Sequence, residues 1–253
     1  MTMSGAATSS SGVPGWYGKL STLGDFASRR LPPAAVQVLD HWLSEVVAGS
    51  RQQLGDDWLQ QYLASPLQRF VLGPGLLDAA WWFGVMMPSC DKVGRYFPLI
   101  VLQPRAAPPS DRVAFDHLEL WWQGVGEAAL ETLSDDVDVE RFDRALVELP
   151  PWPAVRETPG WTSAAMATMA ATTATTVTTA TIADVGAAGE FRLPEDCAPG
   201  DMAQGLAAAA WMQRLQAGSL WWSWRPQRGE TACRIVAGLP SATTFAAMLG
   251  PSA

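Results

Sequence analysis

The sequence predicts an α/β fold in one domain, an antiparallel-rich central sheet flanked by helices on both faces and interrupted by an Ala/Thr-rich mobile insertion. Three observations carry the prediction. First, three short strand-like runs, "PLQRFVLG", "WWFGVMMPS" and "FPLIVLQ", follow one another with short connections, and short connections favour antiparallel pairing over βαβ crossovers. Second, "FPLIVLQ" is continuously apolar, which fits a central strand covered on both faces. Third, the tryptophan pairs Trp81–Trp82 and Trp221–Trp222 fall in strand-like runs. Adjacent strand residues face opposite sides, so each pair puts one ring on each face of the sheet.

From the N-terminus, residues 1–13 are mostly Ser, Gly, Ala and Thr without periodicity and are expected to be disordered; the domain is expected to span 14–250. "GWYGKL" begins a strand, and "LGDFASRR" reads as a turn into a loop. Pro32 and Pro33 stand where a helix can begin. Val36, Leu39, Trp42, Leu43, Val46 and Val47 then repeat at three and four, giving a buried helical stripe closed by Gly55. "DDWLQQYLA" is a short helix with Asp56 as its expected cap. After the three strands, residues 111–133 form a helix whose apolar face runs through Val113, Phe115, Leu118, Leu120, Trp121, Val125, Ala129 and Leu133. Within it, Trp121 and Trp122 lie about 100° apart, so one is buried and the other near the boundary. Residues 138–150 make a further helix stopped by Pro150 and Pro151.

Residues 161–189 are nearly uncharged Ala/Thr low complexity. Such side chains bury too little area to offset their ordering entropy, so a mobile insertion is expected. Beyond it come an alanine-rich helix, the strands "SLWWSW" and "TACRIVAGLP", and a closing helix begun by Ser241. Two late strands completing an earlier sheet imply one domain.

Composition excludes several functions. A chain of 253 residues with 48% hydrophobic and 17% charged residues is globular. A net charge of -8 argues against nucleic-acid binding, which needs a basic face. Lys19 and Lys92 are the only lysines, so anionic membrane surfaces offer little attraction. Cys90, Cys197 and Cys233 show no CxxC spacing, arguing against a disulfide framework or zinc ribbon. The N-terminus lacks the basic and apolar regions of a secretory signal, and no apolar run reaches the ~20 residues of a membrane span. The expectation is a cytoplasmic protein without membrane insertion.

No catalytic, cofactor-binding or metal site stands out. His41 and His117 are the only histidines and lack neighbouring ligands. Neither a phosphate-cradling glycine loop nor a G-x-S-x-G elbow is present. Ser89, two residues before Asp91, is the best nucleophile, but no base lies near it in sequence.

Two charged knots in apolar surroundings remain, "GKLSTLGDFASRR" and "PSCDKVGRYFPL". A half-buried charge must find a partner. Lys19, Asp25, Asp91 and Arg95 are therefore expected to neutralise one another across adjoining loops, with Asp25 or Asp91 pairing with Arg95. A sharper reading makes this cluster, with Trp16 and Tyr17 as an exposed aromatic rim, a surface for a protein partner.

The same two stretches carry a resemblance. "GWYGKLSTLGDF" (15–26) and "PSCDKVGRYFPL" (88–99) resemble the two signatures of the TagF/ImpM family of type VI secretion system-associated proteins. The likeness extends through "LGDDWLQQYLASPLQRFVLGPG" and lies mostly in residues 14–104. Ser21 departs from it, since the family usually has proline there. The resemblance implies an α/β fold and a cytoplasmic, non-enzymatic, post-translational repressor. Such a protein would bind the FHA-domain scaffold of the secretion system, beside the Ser/Thr kinase and phosphatase that set the scaffold's phosphorylation. It implies no catalytic residue. The competing expectations are a small hydrolase or transferase using a Ser89/Asp91 loop site, and a structural component of the apparatus.

Overall fold

The computed structural model describes residues 12–109, 112–134, 137–150, 214–224 and 233–250. The Ala/Thr stretch 161–189, most of the alanine-rich helix expected after it, and nearly all of the terminus expected to be disordered lie outside these residues.

Continuous apolar character in the middle strands becomes a sheet buried on both faces. Its strands are β1 (Gly15–Gly18), β2 (Ala27–Arg29), β3 (Leu67–Leu72), β4 (Trp81–Met87), β5 (Leu99–Arg105), β6 (Gly218–Trp224) and β7 (Cys233–Ala237). All pairings are antiparallel, in the order β2-β1-β5-β4-β3-β6-β7. Every residue of β3 and β4 is buried; β4 reads as an unbroken apolar run, as a strand covered on both faces does, whereas β3 also buries Gln68 and Arg69. β2 was not expected, because three residues, Ala-Ser-Arg, carry no alternation to reveal a strand.

The helices divide between the faces as the tryptophan pairs require. α1 (Pro33–Leu54), α2 (Trp58–Ala64) and the last helix, α5 (Ala242–Leu249), cover one face. Their core takes in Leu39, Trp42, Tyr62, Phe70, Trp82, Ile100, Trp221 and Phe245. α3 (Arg112–Glu131) and α4 (Val139–Glu148) cover the other, around Trp16, Trp81, Phe83, Val101, Leu118, Trp121 and Phe142. Trp81 and Trp82 thus belong to opposite cores. So do Trp222, which packs against the α3–α4 side, and Trp221.

Local signals set most helix ends. Pro33 opens α1, and Gly55, at φ +54°, ends it. Asp138 caps α4 by accepting from the Arg141 N–H at 2.8 Å, and Ser241 caps α5 through Thr244 N–H at 3.2 Å. Asp56 does not cap α2. It lies in a 3₁₀ turn, Gly55–Asp57, that leads straight into the helix, and Asp57 in the cap position makes no side-chain cap bond.

Two expectations for α3 need correction. Val113, Leu120 and Leu133 are exposed, so the buried stripe is narrower than the spacing suggests. Trp121 and Trp122 are both buried, at 2% and 4% exposure. Burial of Trp122 leaves its indole N–H satisfied, since it donates to the Gly84 carbonyl at 3.0 Å.

Candidate functional site

Two loops meet at one end of the sheet: residues 19–26, between β1 and β2, and residues 88–98, between β4 and β5. β1 pairs with β5, with Gly18 opposite Leu99, so the sheet register itself brings the loops together. Gly18 has φ +138°, and a Cβ there would stand 2.2 Å from the Pro98 carbonyl oxygen; only glycine lets the first loop leave so close to the second.

Asp91 joins them. Its side chain is fully buried. One carboxylate oxygen accepts from Lys19 Nζ and from Arg95 Nε, both at 2.6 Å. The other accepts the backbone N–H groups of Val93 (3.1 Å) and Arg95 (2.9 Å), folding 91–95 into a turn around the carboxylate. Gly94 supplies the positive φ of that turn, at +80°. Two further bonds bind the loops: Lys92 N–H to the Leu23 carbonyl at 3.0 Å, and Arg95 Nη2 to the Gly24 carbonyl. Burial pushes the Asp91 carboxyl up, but the bonds from Lys19, Arg95 and Val93 outweigh it and hold the group well below the usual carboxylate range.

The expected pairing of Arg95 therefore falls to Asp91. Asp25 takes no part. It is exposed, its carboxylate accepts from the Phe26 N–H at 2.8 Å, and it joins no ion pair among the described residues. Lys19 is 4% exposed, with its ammonium 4.3 Å above the Phe26 ring.

Trp16 and Tyr17 are not an exposed rim. Trp16 is 0% and Tyr17 4% exposed, one on each face of β1. Trp16 donates to Asp143 at 3.3 Å and packs on Phe142, while the Tyr17 hydroxyl bonds Asp40. Strand alternation in β1, which is covered on both faces, turns one ring into each core. The aromatic that does reach the surface is Phe26, 44% exposed and edge-on to Phe97 at 4.8 Å.

Ser89 is 5% exposed, and its hydroxyl donates to the Lys19 carbonyl at 2.8 Å. Its backbone N–H and C=O both bond the Tyr62 hydroxyl at 3.0 Å. The serine thus cross-links the loops and α2. No group of His, Cys, Asp and Glu among the described residues could hold a metal ion. Ser21, at the position that departs from the signature, donates its hydroxyl to the Thr132 carbonyl at 2.8 Å and so ties the first loop to the end of α3.

Sequence reasoning missed Arg69. It is 3% exposed in β3, bonded to Glu119 at 2.5 Å, with its guanidinium 5.9 Å from the Trp122 ring. A lone arginine inside "PLQRFVLG" was the available signal. Among the described residues no helix is long and apolar enough to cross a membrane.

No curated protein matches the chain. Among solved structures, the crystal structure of PA0076 from Pseudomonas aeruginosa PAO1 is similar at 32% identity and a TM-score of 0.66, covering 94% of each chain. The family model TagF N-terminal domain, type VI secretion system-associated, matches residues 15–149, which hold both loops and the Asp91 clasp. The chain belongs to the TagF family of type VI secretion system-associated proteins.

Proposed function

We propose that the protein is a cytoplasmic, post-translational negative regulator of a type VI secretion system, and that it acts by binding the system's FHA-domain scaffold rather than by catalysis. The family supplies the association with the secretion system. The single observation that favours a binding role over chemistry is the state of the charged loops. Each group that could react is already bonded: Ser89 to a backbone carbonyl, Asp91 to four donors, Lys19 to Asp91. A nucleophile needs a base within hydrogen-bond reach and a concave approach for substrate. A buried Ser89 whose proton points at a carbonyl has neither, which counts against the hydrolase or transferase alternative. What the clasp does provide is a rigid end to the sheet, suited to presenting residues around it to a partner.

The test is titration calorimetry of the purified protein against the scaffold from the same secretion cluster, phosphorylated by its Ser/Thr kinase or stripped by its phosphatase. Binding in both states supports a repressor that masks the scaffold directly. Absence of binding in both defeats the reading.

A further inference from the structure

Beside the clasp an open cleft separates the α1–α2 corner from the turn at 94–96, lined by Arg51, Asp56, Trp58, Leu59, Arg95 and Tyr96. The Arg51 guanidinium lies 4.1 Å over the Trp58 ring, and the side chain forms no hydrogen bond or ion pair among the described residues. A flat guanidinium stacked on an indole keeps its outward N–H fork free for an anion and is held in one orientation. Trp58 is itself fixed. It stacks on Tyr62 at 4.7 Å, meets Tyr96 edge-on at 6.3 Å, and donates its indole N–H to Ser50 at 2.9 Å. Across the cleft, Arg95 is tethered through Nε and Nη2, which leaves Nη1 pointing to solvent from a side chain 60% exposed. Asp56 lies on the rim but pairs with neither arginine, and Asp91, which holds Arg95, is shared with Lys19, so cleft and clasp together carry three cations (Arg51, Arg95, Lys19) against two anions (Asp56, Asp91) on a chain of net charge -8. Of the apolar side chains that line it, Leu59 is 40% exposed.

We infer that this cleft is a docking site for an acidic, carboxylate-bearing segment of the protein partner, with Arg51 as its anchoring cation and Leu59 as its apolar contact. The inference rests on the reading above that the protein works by binding another protein. Its argument is charge complementarity: two pre-positioned guanidinium forks with unused donors match side-chain carboxylates, and the apolar rim excludes water from such contacts. The Asp91 clasp then has a role in binding without touching the partner. It fixes Arg95 in the wall of the cleft that Arg51 also lines.

The experiment uses the full chain in two arms. In the first, wild type, Arg51→Lys, Arg51→Glu, Leu59→Asp and Ile235→Asp are titrated against the FHA-domain scaffold, with thermal melts checking that each folds. Ile235 is 59% exposed on β7, an edge strand remote from the cleft in the sheet order. Arg51→Glu and Leu59→Asp should each weaken binding by roughly tenfold or more, Arg51→Lys by less, and Ile235→Asp not at all. Wild-type affinity in folded Arg51→Glu and Leu59→Asp overturns the cleft while leaving the proposed function standing. Failure of wild type to bind defeats the proposed function instead, and the second arm then decides the cleft alone. There, anisotropy of a dye-labelled peptide of alternating Glu and Leu should rise with wild type, less at high salt, and not with Arg51→Glu. No rise with wild type overturns the inference.

Discussion

Asp91 and Asp143 are each held by two cationic side chains, the first around a sealed carboxylate with one buried and one exposed cation, the second nearer the surface. Asp91 accepts from Lys19 and Arg95 with its own side chain sealed from solvent and that of Lys19 only 5% exposed. Asp143, on α4, meets Arg30 at 2.6 Å and Arg29 at 3.1 Å beside β2, where the arginine side chains are 21% and 40% exposed. Both clusters fasten a loop or edge strand to the body of the fold. Their energetics differ in kind. A surface pair is screened by water and salt and contributes little. A buried pair adds little net stability over an apolar pair of the same shape, but removing one partner strands the other charge in a dry site. Asp91 is therefore a position where damage is costly, and Asp143 one where it is tolerated.

The largest effect expected from this contrast is at Asp91. Asp91→Ala leaves the Lys19 ammonium buried without a counter-charge and removes the acceptor that shapes the 91–95 turn. A fall in Tm on the order of 10 °C is expected, read by differential scanning calorimetry. Added salt should restore little of it, since counterions cannot reach the site. The double variant Lys19→Met/Asp91→Leu should melt above Asp91→Ala, because it removes both charges together. If the double variant melts at or below the single one, the stranded ammonium is not the source of the loss.

The two clusters were also unequally legible. Asp91, Lys19 and Arg95 could be singled out from sequence because charges interrupt strongly apolar runs, where each must find a partner. Asp143 could not, since it lies in an ordinary amphipathic helix far along the chain from Arg29 and Arg30. The sheet and its two helical layers were legible for the same local reason. Trp81–Trp82 and Trp221–Trp222 had to face opposite ways in strands, and they do. Charges follow Trp16 and Tyr17 in sequence and suggest a surface, whereas β1 is covered on both faces, with Trp16 in one core and Tyr17 in the other. Asp25 was misassigned because spacing cannot tell which of two nearby carboxylates a turn encloses. Only the hydrogen bonds of 91–95 decide that.

At the surface cluster, Asp143→Ala should cost about 1 kcal/mol or less, with the Trp16 indole losing its acceptor as well. The difference from wild type, measured by urea unfolding, should shrink in molar salt, where exposed charges are screened. A loss as large as that of Asp91→Ala would erase the distinction between the clusters.

The smallest effect is in the acid limb of stability, and it separates the clusters by pH. Hydrogen bonding to Arg30 is the main reason the Asp143 carboxyl falls from 3.8 to about 2, against an opposing push from burial and with help from Trp16. A carboxyl whose folded pKa lies below its unfolded value stabilises the fold above the unfolded value. That stabilisation is lost as pH falls through the folded one. Asp143 therefore contributes fully above about pH 4, progressively less toward pH 2, and nothing below. Asp91, held lower still, continues to lose its contribution at more acid pH. Asp143→Asn should thus flatten the plot of Tm against pH between about 4 and 2 and leave the fall at more acid pH in place. An unchanged slope in that window would mean that Asp143 is not held as a charged partner of Arg30. If the fall below pH 2 also vanished, the two carboxylates would be coupled through β1, and the surface cluster would be part of the same lock.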